Sequence, residues 1–336
     1  MTSSLIVQTS FIGDAVLTTP LIAELARRGP VSLVVTRAAA ALFAHHPGVS
    51  RVIVYDKRGA DAGVRGFQRM VRALRTDDRQ AVAYLAQGSH RSGLLARAAG
   101  YRERVGFATS TGRLWYTTRI TPTDGLHHAD RLWRLARSPD APTADQLRPR
   151  LYPAARDEAR VEVLLNEHGA LGEPLIALAP GSVWATKRWP FFPALARDLS
   201  ALGRVVVLGS EADSALARDI AAASPSAIDA TGQLSLLGSA ALIARARVLV
   251  TNDSAPLHLA SAMNTPTVAI FGPTVTRFGF GPLAQRSSIA EVSNLACRPC
   301  SAHGPATCPL GHFRCMLDLL PDRVLMATTA LLNERR

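Results

Sequence analysis

The residues best suited to chemistry lie in the run VLVTNDSAPLHLASAMNTPTVAIFGPT, residues 248–274. Residues 248–250 and 268–271 are short apolar, largely branched runs of the kind that form buried strands. Between them, Asn252, Asp253 and Ser254 are helix-capping types, and Pro256 suits a first helical turn. A strand, a loop and a helix in that order place Asp253, Ser254 and Ala255 where backbone N–H groups and the positive end of a helix dipole collect. Such a place favours an anion, for instance a phosphate. His258 follows within the first turns. Taken alone, Asp253 reads as a cap and His258 as a core residue.

Two earlier loops add to this pattern. PGSVWATKRWP, residues 180–190, carries Ser182 and Lys187, a hydroxyl and a compact ammonium suited to phosphate. Glu211 ends the next strand, where a carboxylate can accept hydrogen bonds from ribose hydroxyls. A diphosphate held by Lys187 and the helix start would leave readily, with no metal needed to neutralise it. Near the beginning, Gly13-Asp14 follows the first apolar run, on the ligand-facing rim of an open α/β sheet. Asp14 is there either a helix cap or a general base. The loop reads QTSFIGD and lacks the G-x-G-x-x-G of a dinucleotide-dependent dehydrogenase.

Elements that could position these groups alternate along the chain. Strands are expected at 5–7, 31–36, 52–55 and 81–85, with helices at 14–26, 38–45, 66–74 and 92–99. Pro20 inside the first helix signals a kink or a later start. Residues 121–155 are rich in Pro, Thr, Asp and Arg and break the alternation, apart from a helix at 129–137. The alternation resumes with strands at 175–179, 205–208 and 227–229 and helices at 193–202, 213–223 and 236–245. This pattern implies two doubly wound parallel sheets in series, with a cleft between them. The boundary falls at 150–170. It is drawn at 165, giving domains 1–165 and 166–336, with a helix at 156–167 leading into the second.

Composition bounds the function. With 48% hydrophobic and 19% charged residues, the chain of 336 residues is globular rather than disordered. Of the net charge of +12, residues 1–150 carry 22 Arg/Lys against 11 Asp/Glu, a balance of +11, and residues 151–336 carry 16 against 15. The first half therefore suits an acidic partner, with Lys57, Arg58, Arg65 and Arg91 as candidate contacts near strand ends. No zinc finger, recognition-helix signature or aromatic-interleaved basic tract points to nucleic acid. The first residues lack a basic leader, and their apolar run is broken by Gln8 and Asp14. No run of 18 apolar residues is present, so a cytoplasmic protein is expected.

All four cysteines, Cys297, Cys300, Cys308 and Cys315, fall within 19 residues, with His303 and His312 among them. The spacing C-x2-C-x7-C-x6-C is a weak candidate for a structural metal. The alternative is a reduced, partly buried loop packed beside the cleft.

Three segments together, FIGDAVLTTP, APGSVWATKRWP and TNDSAPLHLASAMNTPTVAIFGPT, resemble glycosyltransferase family 9, the ADP-heptose:lipopolysaccharide heptosyltransferases. The later CRPCSAHGPATCPLGHFRCM is similar to the heptosyltransferase II branch. The resemblance implies a GT-B fold of two Rossmann-like domains, the first binding the acceptor and the second the nucleotide sugar. It implies inverting, metal-independent transfer with no cofactor. Asp14 matches the family's proposed base. Ser182 and Lys187 match diphosphate contacts, Glu211 the ribose contact, and Leu234 a residue near adenine. Asp253, Ser254, Ala255 and His258 match D-[ST]-G-x-x-H, with Ala255 in place of the commoner glycine. The implied partners are an ADP-heptose donor and an acidic lipid A–inner-core glycolipid, with peripheral contact at the inner membrane's cytoplasmic face. A transferase of this family with another nucleotide or acceptor stays open, as does a non-catalytic nucleotide-sugar or nucleic-acid binder.

Overall fold

The computed structural model describes residues 2–334 and divides at Tyr152 into two compact units, Met1–Tyr152 and Pro153–Arg336. The first unit holds β1 (Ser4–Gln8), β2 (Val31–Val35), β3 (Arg51–Val54), β4 (Val82–Leu85), β5 (Glu103–Phe107) and β6 (Thr118–Ile120). They form one parallel sheet in the order β3-β2-β1-β4-β5-β6. The second holds β7 (Leu175–Ala179), β8 (Arg204–Val207), β9 (Ile228–Asp229), β10 (Ala246–Asn252), β11 (Thr267–Phe271) and β12 (Ser287–Glu291). Its parallel order is β12-β11-β10-β7-β8-β9.

Numbered within its own unit, each sheet runs 3-2-1-4-5-6, the order of dinucleotide-binding folds. The strand order reverses between β1 and β4 in one unit and between β7 and β10 in the other. Loops leaving those neighbours in opposite directions open a crevice at the carboxyl ends of the strands. Central strands are covered on both faces, which explains their unbroken apolar runs: β1, β7 and β11 are buried throughout. In the second unit Ile176, Leu178, Val205, Val207, Val250 and Ile270 pack with Phe192, Leu195 and Met316. Full burial of one such side chain contributes about 2 kcal/mol.

Several expectations are corrected. The helix expected at 14–26 is two helices, Ile12–Leu17 and Thr19–Ala26. Pro20 has no N–H for the Val16 carbonyl, so the helix breaks at Thr18, and Thr19 Oγ1 donates to that carbonyl at 2.9 Å. The boundary drawn at 165 lies at 152, because the helix Ala155–Glu167 packs into the second unit. Its Asp157 accepts from Ser235 Oγ at 2.9 Å, and Arg245 pairs with its Glu158 at 2.9 Å and Glu162 at 2.8 Å. The helix expected at 129–137 is His128–Trp133 followed by a 3-10 turn, Arg134–Ala136, ended by Arg137 at φ 53. Strands β5, β6 and β12 were not expected: ERVGF and SSIAE mix charged and polar residues, and TRI is too short to show a period. The closing helix Pro321–Asn333 was also missed. Among the described residues no helix is long and apolar enough to cross a membrane.

Candidate active site

At the switch point of the second unit, Asn252 ends β10 fully buried. Its Nδ2 donates to Pro180 O at 2.7 Å, and its Oδ1 accepts from Trp189 N at 3.2 Å. One side chain thus ties both ends of the loop after β7 to β10. Trp189 is anchored further, donating through Nε1 to Leu319 O at 2.8 Å and packing edge-on to Phe192 at 5.3 Å. Between these anchors the 3-10 turn Ala185–Lys187 carries the lysine.

Lys187 Nζ lies 2.6 Å from Asp253 Oδ2, and Thr274 Oγ1 donates to the same oxygen at 2.7 Å. Both charged side chains are about one-tenth exposed. A pair this buried interacts more strongly than one on the surface, and removing either partner would strand the other charge. Asp253 therefore holds the lysine. It does not cap the helix Ala255–Met263, which has no side-chain cap. Pro256 supplies no N–H, so this helix start has one donor fewer than most. Ala255 is not among the described non-glycine residues with positive φ, so alanine fits here without strain. His258 is 5% exposed and packs edge-on to Phe280 at 6.3 Å.

The remaining rim is more open. Ser182 is half-buried, and its carbonyl accepts from Arg188 Nε at 2.9 Å. The neighbouring Gly181 is closely approached: a Cβ there would lie 2.4 Å from the Asp213 carboxylate, which would have to shift. That carboxylate accepts from Ser210 N at 2.9 Å and Ser210 Oγ at 2.8 Å. Glu211 is exposed at the start of the turn after β8. Gly232, at φ +72, lies against its Cβ, which places the loop carrying half-buried Leu234 beside it.

In the first unit Asp14 sits in the first turn of the helix Ile12–Leu17. Its Oδ2 accepts from Phe11 N at 3.3 Å, and its Oδ1 lies 3.6 Å from His128 Nε2. Burial, then the charges of Arg131 and His127, push the His128 pKa down to about 3, so the ring is neutral at ordinary pH. His127 caps the helix His128–Trp133, its Nδ1 accepting from Ala129 N at 3.1 Å. His128 was missed from the sequence. Its one signal is a His-His pair immediately before a helix.

Lys57 reaches over the end of β1, with Nζ at 3.3 Å from both Thr9 O and Thr9 Oγ1. Thr9 Oγ1 and Ser92 Oγ both donate to Gln87 Oε1, at 3.2 and 2.9 Å. These groups follow β3, β1 and β4, so they gather at the switch point. Burial first, then Arg58 and Arg91, lower the Lys57 pKa, a mark of the positive field there. Arg91 is locked: its guanidinium lies over Tyr55 at 5.4 Å and Phe67 at 5.6 Å and donates to Asp61 O at 2.9 Å. Arg58 is exposed, and Arg65 stands exposed in the first turn of the helix Gly63–Leu74.

Cys297, Cys300, Cys308 and Cys315 do not form a donor set. Among the described residues no three His, Cys, Asp or Glu side chains are placed to hold a metal. Cys315 is buried in the core beside Met316 and Leu319, and burial pushes its thiol up to about 11. Cys297 Sγ lies 4.0 Å from His312 Nε2. The backbone N–H of Phe313, with those of its neighbours, lowers the Cys308 thiol.

Comparison with known proteins adds a lineage to this geometry. Residues 67–310 match glycosyltransferase family 9 (heptosyltransferase). Lipopolysaccharide heptosyltransferase 1 of Pseudomonas aeruginosa is 29% identical, over 99% of this chain and 95% of its own. Lipopolysaccharide heptosyltransferase 2 of Salmonella typhimurium is 27% identical, over 98% of each. The solved ADP-heptose lps heptosyltransferase II of E. coli superposes with a TM-score of 0.77 at 23% identity, covering 99% of this chain and 98% of that one. At that identity the superposition shows the shared GT-B architecture of two Rossmann-like units.

Proposed function

Because the chain belongs to glycosyltransferase family 9, the heptosyltransferases, we propose that it transfers heptose from ADP-heptose to the inner core of lipopolysaccharide. The second unit binds the donor and the first binds the acceptor. The observation that carries this reading is the buried Lys187–Asp253 pair at the β7/β10 switch point, where a diphosphate belongs in this fold.

The transfer is an inverting displacement. The acceptor hydroxyl oxygen attacks the anomeric carbon from the face opposite the diphosphate, and Asp14 takes its proton. The bond from the anomeric carbon to the diphosphate oxygen breaks, and its electron pair leaves on ADP. Lys187, Ser182 and the start of the helix Ala255–Met263 stabilise that charge in place of a metal. Glu211 receives the ribose hydroxyls, and Leu234 packs near adenine. The contacts from Lys187 and Thr274 to Asp253 both fall on Oδ2; its Oδ1 receives the donor in this reading, together with Ser254, Ala255 and His258. Lys57, Arg58, Arg65 and Arg91 attract the acidic glycolipid acceptor. An acceptor anchored in lipid brings the protein to the cytoplasmic face of the inner membrane as a peripheral protein.

The test is Asp14→Asn, assayed for transfer in EDTA beside calorimetric titration with ADP, UDP and GDP. Turnover should fall by about 10²- to 10⁴-fold while ADP affinity stays at the wild-type value. Normal turnover would reject Asp14 as the base. Selectivity for UDP or GDP would reject ADP-heptose as the donor, and loss of transfer in EDTA would reject metal independence.

A further inference from the structure

The segment carrying the cysteines is absorbed neither by the transfer chemistry nor by a metal, yet its path is tightly fixed. Arg298 draws it onto the end of β11, donating to Phe271 O at 3.2 Å and Thr274 O at 3.0 Å and pairing with Glu291 at 2.7 Å. Cys300 N donates to Pro273 O at 2.9 Å. Thr186 Oγ1, next to the lysine, donates to Pro305 O at 2.5 Å. Gly304 is buried against the lysine itself: a Cβ there would lie 3.2 Å from Lys187 Cε and 3.4 Å from its Cγ.

We propose that residues 298–305 form a wall of the phosphate site, and that Gly304 is a positioning residue that sets the Lys187 side chain. This rests on the reading of Lys187 as the diphosphate contact. The methylenes of Lys187 run along the bare Gly304 backbone, while Asp253 and Thr274 fix the charged end. The ammonium is thereby aimed from two sides, and its reach toward a diphosphate depends on the absence of a side chain at 304. The cysteine spacing matters here only because its loop delivers this glycine.

The test contrasts two glycines. Gly304 (φ +82) and Gly311 (φ +70) both have a left-handed backbone that any side chain strains, but a Cβ at Gly311 meets nothing within 4 Å. Gly304→Ala should weaken ADP binding about fivefold, as expected when one charge-assisted hydrogen bond is misplaced rather than lost. Gly311→Ala should stay within about twofold, the size of a remote surface change. In a Lys187→Ala background, Gly304→Ala should have no further effect, because the side chain it displaces is gone. Equal effects of the two glycine variants, or a Gly304→Ala loss that persists without Lys187, would overturn the proposal. Unchanged ADP affinity in Lys187→Ala alone would instead overturn the phosphate reading beneath it. Should Gly304→Ala fail to fold, Thr186→Val removes the bond to Pro305 O and must weaken ADP binding in the same Lys187-dependent way. Wild-type affinity there would equally refute the wall.

Discussion

His128 is the residue whose importance rests most on its setting. At 3.6 Å its Nε2 is beyond hydrogen-bond range of Asp14 Oδ1, and a pKa near 3 leaves it uncharged. It therefore does not compete for the proton that the proposed mechanism assigns to Asp14. It walls one side of the carboxylate while Phe11 N holds the other oxygen. His128→Ala should lower kcat about tenfold with little change in KM, the pattern of a base that has lost its orientation. His128→Gln should restore part of it. Steady-state kinetics on both variants check this, and a rise in KM alone would place His128 in acceptor binding instead. Asp14, Lys187 and Asp253 were legible as residue types in characteristic loops. Their pairings were not, because His128 lies 114 positions from Asp14 and Asp253 lies 66 from Lys187. No local pattern encodes such a meeting.

At the scale of elements, the helix that carries Asp14 is kept short by the break at Thr18. A continuous helix over 14–26 would place Asp14 at its very start, whereas the short helix Ile12–Leu17 carries it as the third residue of the first turn. Thr19 makes the break tolerable. Its Oγ1 donates to Val16 O at 2.9 Å and accepts from Arg150 N at 3.0 Å while 1% exposed. Thr19→Val keeps the shape and leaves both backbone groups, the Val16 carbonyl and the part-buried Arg150 N–H, without that partner. The cost should be about 1–3 kcal/mol, read from urea unfolding. A loss below a few tenths would mean that water or a shifted backbone replaces the hydroxyl. The proline was visible in the sequence. Whether it would kink, shift or split the helix depended on a threonine hydroxyl finding the orphaned carbonyl.

For the whole molecule, the net charge of the first half and its buried histidines make pH a measurable lever. His46 is 5% exposed, stacked edge-on to Tyr152 at 5.1 Å, and burial lowers its pKa from 6.5 to about 4. The unfolded chain then binds this proton at higher pH than the folded chain does. The stability contributed by neutral His46 is fully present above pH 6.5 and is lost as pH falls toward about 4. His128 extends the same loss toward about 3. The melting temperature should therefore drop across this window, and His46→Gln should flatten the drop. An unchanged slope would assign the acid sensitivity to other groups.

The sequence by itself determined the alternation of apolar runs and capped helices, and with it two parallel doubly wound sheets. Burial on both faces of a strand leaves a local imprint in composition. It also determined which loops could carry chemistry, since Asp14, Ser182, Lys187, Glu211 and Asp253 each follow an apolar run. The tertiary structure alone decided the edges of the sheets, the division at Tyr152 and the second ring of partners around each site residue. Edge strands such as SSIAE are half solvated and held by pairing rather than by burial, so their residues carry no period. The Lys187–Asp253–Thr274 cluster and the wall at Gly304 depend on three strand ends arriving side by side. Only the folded order of the sheet, not the order of the chain, brings them together.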